Sequence, residues 1–118
     1  DLSFSKISET DLSGAILKYA DLSSCTLKEV KLSNANLIGV DFKDAFCSET
    51  QIDEANFEGA DLTYANLEGS NLKNSFFLEA NLHGTNFTNA NLADAYLVDA
   101  NIAKAITKGA NLENTILE

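Results

Sequence analysis

Large apolar side chains recur at every fifth residue from one end of the chain to the other. Counting from Leu2 through Ile7, Leu12 and Leu17 to Leu117, 22 of 24 positions are Leu, Ile or Phe, and only Cys47 and Thr107 depart. Two places earlier, the register from Ser5 to Thr115 is small: 13 of its 23 residues are Ala, and the rest are Ser, Thr, Cys and the valines Val30 and Val40. The residue just before each large one is Asp or Asn at 14 of 24 positions. A helix repeats every ~3.6 residues and a strand every ~2, so neither produces this spacing.

A period of five with two inward positions reads as an extended triplet, small–x–large, followed by a two-residue corner. Residues two apart in an extended chain point the same way, which puts the small and the large side chain on one face. All six glycines fall two places after the large residue, and Asn34, Asn74, Asn89 and Asn114 share that place. Gly and Asn tolerate the positive φ that a type II turn needs at its third position, so the pattern predicts a corner there. Such units stack into a solenoid whose layers pair backbone to backbone at ~4.8 Å. Ala and Ser let the walls approach, and Leu and Phe fill the axis. Hexapeptide solenoids and leucine-rich repeats have other periods and are excluded.

The motifs Ala20-Asp21-Leu22, Ala35-Asn36-Leu37, Ala60-Asp61-Leu62 and Ala90-Asn91-Leu92 resemble the pentapeptide-repeat family, whose consensus is Ala-(Asp/Asn)-Leu-x-x. The resemblance covers the whole chain. It implies an all-β fold, a right-handed quadrilateral β-helix (solenoid) with four five-residue repeats per coil. On that closure 118 residues make about six coils, in one domain spanning 1–118. Asp1 lies inside a repeat and the chain contains no Met, which suggests that it is processed or excised from a longer protein.

With four repeats per coil, residues 20 apart stack and the sequence divides into four faces. The first carries an acidic stripe, Asp1, Asp21, Asp41 and Asp61, continued by Asn81 and Asn101. Neighbouring carboxylates there repel by about 1 kcal/mol or less in water. The expected role of these side chains is to bond the local backbone; a cation site or an acidic recognition stripe is the alternative. A corner of the second face stacks Glu9, Glu29 and Glu49. The fourth face differs, because Ile16, Ile38, Phe76, Leu78, Tyr96, Val98 and Ile116 occupy outward registers that are elsewhere mostly polar. Phe76, Leu78, Tyr96, Val98 and Ile116 form the candidate protein-interaction patch, since contiguous exposed apolar surface marks interfaces; neutral decoration of the surface is the alternative.

Composition narrows the function classes. The chain has eight Lys+Arg against 18 Asp+Glu and a net charge of −10, with no basic patch for a phosphate backbone, so direct nucleic-acid binding is not expected. No apolar run reaches the ~18–20 residues of a membrane-spanning helix, and membrane insertion is not expected. Two cysteines are too few for a disulfide scaffold. Cys25 and Cys47 lie in inward registers one coil apart, and their Cα separation of about 8 Å exceeds the ~7 Å that a disulfide bridges, so free buried thiols are expected. His83 is the only histidine and sits at an outward register. With no nucleophile–base pair, paired-Cys metal motif or phosphate loop, neither catalysis, a cofactor nor a metal is expected.

The reading that follows is a non-catalytic protein-interaction or structural scaffold module on a rigid solenoid. Its protein partner is not named by the sequence; self-association through the apolar fourth face, or end to end, is one option. The alternative comes from the resemblance, since some members of the family mimic DNA and act on type II topoisomerases. Against it, ten net charges over a rod of ~28 Å are sparser than the one per ~1.7 Å of duplex DNA. The gyrase-directed members also carry loops and a C-terminal dimerisation element not visible here. Proteins of the family it resembles are abundant in cyanobacteria and some lie in the plant thylakoid lumen; the compartment stays open, with a processed lumenal form or the bacterial cytoplasm as the leading settings.

Overall fold

The computed structural model describes residues 1–118. Parallel bridges join residues 20 apart, from Asp11↔Lys31 and Asp21↔Asp41 to Asn91↔Asn111 and Tyr96↔Ile116. The two longest extended pieces, β1 (Lys6–Ser8) and β2 (Thr26–Lys28), pair in the same parallel register, Ile7 against Leu27. A turn, or after Ile7 and Leu27 a bend, follows the large residue of each complete repeat, so the chain changes direction every five residues and returns over itself after 20. The molecule measures 32 × 24 × 22 Å.

The backbone shows why this repeat is stable. Of 77 backbone hydrogen bonds only 2 lie within β1 and β2, so the fold is held by the ladder between successive layers and by the turns. In the unit 41–45 every N–H has a named acceptor. Asp41 N donates back to Ala20 O (3.0 Å), Phe42 N forward to Asp61 O (2.7 Å) and Asp44 N forward to Thr63 O (3.0 Å). Ala45 N closes the turn onto Phe42 O (3.1 Å). Lys43 N donates to the side chain of Asp41 at 3.1 Å. That last bond explains the Asp/Asn register: its side chain takes the one N–H that the ladder and the turn leave over.

The axis is filled as the sequence predicts. Leu32, Phe42, Ile52, Phe57, Leu62, Leu72, Phe77 and Leu82 are fully buried. Phe57 stacks on Phe77 with centroids 5.0 Å apart, while Phe42 and Phe87 meet this pair edge-on. Cys47 fills the axis and is buried; Thr107, in the last layer, is exposed, as are Ile102, Leu112 and Leu117 beside it. The small register does more than allow close approach. Ser70, Ser75 and Thr85 are buried and donate their hydroxyls to Cys47 O, Ile52 O and Leu62 O, 23 residues earlier, at 2.8–2.9 Å. No buried side-chain polar atom lacks a partner.

The corners show the expected positive φ at their third position, but not only where Gly or Asn stands. Every residue two places after the large one has positive φ, including Phe4, Glu9, Tyr19, Glu54, Tyr64 and Lys104. Left-handed backbone is uncommon for such residues. At each residue named, the ladder bond of its own N–H, the turn bond, or both fix it. Three corners, ending at Thr10, Val30 and Thr50, lack the turn bond from the last N–H. At the third, Thr50 Oγ1 donates to Cys47 O instead (2.7 Å).

Candidate protein-interaction surface

The fourth face gathers its apolar residues by the same ladder. Asn56 bridges to Phe76, Phe76 to Tyr96 and Tyr96 to Ile116, so these side chains form one outward column. The Phe76 and Tyr96 rings stack, with centroids 6.0 Å apart and planes at 29°. Both remain exposed, at 46% and 43%. Leu78 and Val98 form a second column, two residues on and half-buried. Between the columns runs a groove of about 300 Å³ lined by Asn56, Glu58, Phe76, Leu78, Tyr96 and Val98. Ile116 extends the first column and is half-buried; Ile38 is half-buried, and Ile16 lies exposed in the first layer, outside this groove.

Replacing Asn by an aromatic residue also changes the backbone beneath. At Asn56 the side-chain oxygen accepts the N–H of Glu58 at 2.9 Å. Phe76 and Tyr96 have no such oxygen, and the N–H groups of Leu78 and Val98 donate to no protein acceptor. The groove therefore combines apolar walls with main-chain donors. Its charge is of one sign: the outward and corner positions of 56–59, 76–79, 96–99 and 116–118 hold Glu58, Glu79, Asp99 and Glu118 and no Lys.

The acidic stripe of the first face is engaged locally. Asp1, Asp21, Asp41 and Asp61 each accept the N–H two residues on, at 2.9–3.1 Å. Ser3, Ser23 and Thr63 hydroxyls add bonds of 2.6 Å to Asp1, Asp21 and Asp61. The Ser23 hydroxyl, with the Ser23 N–H, holds the Asp21 carboxyl below its ordinary value. Lys43 Nζ sits 3.1 Å from Asp41 and, through that contact, has its own value raised. The column Glu9, Glu29 and Glu49 is exposed; Glu29 and Glu49, with Lys28, Thr26 and Phe46, edge a separate groove of about 360 Å³ on the second face.

Cys25 and Cys47 are both buried and free. Burial pushes the Cys47 thiol well above its ordinary value of 9.0. His83, at its outward register, is half-buried and meets Tyr64: its Nε2 lies 3.3 Å from the Tyr64 hydroxyl, and the rings meet edge-on at 5.5 Å. The sequence signal was there, since Tyr64 and His83 are 19 apart and so neighbours across one layer.

A family model for pentapeptide repeats, with eight copies, matches residues 1–34, 31–63, 45–78, 60–97 and 80–118. No curated protein matches the chain. Similar solved structures include the pentapeptide repeat protein Rfr23 from the cyanobacterium Cyanothece 51142, with 28% identity over 99% of this chain and 87% of that one, at a TM-score of 0.46. Another is a pentapeptide repeat protein of the Arabidopsis thaliana thylakoid lumen, with 29% identity over 79% and 72% of the two chains, also at 0.46. A third is QnrB1, a plasmid-mediated fluoroquinolone resistance protein, with 15% identity over 96% and 75%, again at 0.46.

Proposed function

The chain belongs to the pentapeptide-repeat family, and from that membership we propose that it is a non-catalytic interaction module. Its scaffold is a right-handed quadrilateral β-helix of about six coils. The 20-residue bridge register supports four repeats per coil. Its binding surface is the fourth face, centred on Phe76, Leu78, Tyr96 and Val98 and extended by Ile116. One observation carries this reading: four large apolar side chains line a single exposed groove, in outward registers that the other three faces fill mostly with polar residues. A rigid repeat scaffold holds such a groove at little cost in conformational entropy on binding.

The DNA-mimic alternative has less support. A net charge of −10 along 32 Å is about one per 3 Å, roughly half the density of duplex DNA. The aspartates of the first face are also engaged by their own backbone.

The test is the double variant Phe76→Lys with Tyr96→Lys. Both side chains point outward, so circular dichroism should match wild type. Affinity capture from the native source, with sedimentation equilibrium, should then show partners or self-association lost. A folded variant with an unchanged oligomeric state and an unchanged partner set would reject the fourth face as the interface.

A further inference from the structure

We propose that the occupant of the fourth-face groove is a basic segment of a partner protein that carries large apolar side chains. This rests on the reading of that face as a binding surface and adds the chemistry of what binds. Charge complementarity carries it. Glu58 lines the groove, and Glu79 and Asp99 are exposed at the corner that follows Leu78 and Val98. Glu118 follows on the next layer, and no Lys stands among these positions to offset them. An apolar strip with an acidic border favours a strip bordered by Lys or Arg, and it disfavours an acidic partner or a second copy of this chain, which would bring carboxylate against carboxylate. The unpaired N–H groups of Leu78 and Val98 add a second requirement. They call for oxygen acceptors, which an extended peptide supplies from its main chain.

The probes are short synthetic peptides with a fluorescent label: one alternating Leu with Lys, one Leu with Glu, and one Ser with Lys. Fluorescence anisotropy on the intact chain should show binding of the Leu–Lys peptide alone, weakening as salt rises. Phe76→Ser with Tyr96→Ser should weaken it by about tenfold or more. Glu58→Gln with Glu79→Gln and Asp99→Asn should weaken it several-fold and flatten the salt dependence. Glu9→Gln with Glu29→Gln and Glu49→Gln removes as many charges from another corner and should change little. Equal weakening by the two charge variants, or binding of the Ser–Lys peptide as tight as that of Leu–Lys, would overturn the proposal as unspecific attraction to an acidic rod. Equal binding of Leu–Glu and Leu–Lys would overturn the charge selection while leaving the groove as a docking surface. Unchanged Leu–Lys binding by a folded Phe76→Ser, Tyr96→Ser variant would remove the groove itself. A dimer of the free chain that this variant abolishes would make a second copy the occupant and overturn the proposal.

Discussion

The ring of Tyr64 lies over Gly84, the residue one layer further along the same corner, so closely that a Cβ at Gly84 would overlap it. Tyr19 and Gly39 repeat the arrangement. A large corner side chain leans across the next layer, and glycine there leaves it room. Gly84 has φ +67 as well, so Gly84→Ala combines left-handed strain with displacement of the ring. Gly59, at φ +63 with open space around it, isolates the first effect. Gly59→Ala should cost about 1 kcal/mol. Gly84→Ala should cost more and perturb the Tyr64–His83 contact. In a double-mutant cycle measured by urea unfolding, Tyr64→Ala should reduce the excess cost of Gly84→Ala and leave the Gly59→Ala cost unchanged.

Phe57 is fully buried and stacked on Phe77, with Phe42 edge-on against it. Removing its ring leaves a cavity in the middle of the axis, where layers on both sides resist collapse. Phe57→Ala should destabilise by roughly 3–5 kcal/mol. Leu2 occupies the same inward register in the first layer but is 39% exposed, so Leu2→Ala should cost clearly less. Denaturant midpoints at constant slope compare the two.

The two residues mark how much was legible in the sequence. The inward columns were, because period five admits few folds and volume alone separates axis from wall. The corner chemistry was only half legible. Gly and Asn were read as the reason for the turn, yet Glu54, Tyr64 and Lys104 adopt the same positive φ. At Glu54 and Tyr64 the residue's own N–H bonds to the next layer, at Lys73 O and His83 O, and at Lys104, in the last layer, the turn bond from Ala105 N to Ile102 O closes the corner. The hydroxyl bonds of Ser70, Ser75 and Thr85 to carbonyls 23 residues earlier were missed, although Ser and Thr in a register dominated by Ala was the available sign. On the fourth face the residues were legible as departures from polarity. The groove between them, and the N–H groups freed at Leu78 and Val98, appear only once the backbone is traced.

Asp21 couples the first face to pH. Its carboxyl is held below the ordinary 3.8 by the Ser23 hydroxyl and N–H. A carboxyl lowered on folding stabilises the fold above its unfolded value and gives that up as pH falls through the folded one. This contribution should be fully present above about pH 4 and fade below it. Asn keeps an oxygen acceptor for the Ser23 N–H, as Asn81 does for His83 in the same column. Asp21→Asn should therefore stay folded at neutral pH and lose less stability than wild type between neutral and strongly acidic buffer, as read from thermal melts.

Residues 20 apart lie side by side, and on the fourth face that adjacency builds the proposed binding groove. Backbone-amide NMR shifts recorded while titrating the Leu–Lys peptide into the labelled chain test both at once. The expected perturbations fall in three clusters spaced by 20, at 56–58, 76–78 and 96–98, strongest at the amides of Leu78 and Val98. Perturbations centred on Asp21, Asp41 and Asp61, or spread evenly over all four faces, would contradict the fourth face as the site of recognition.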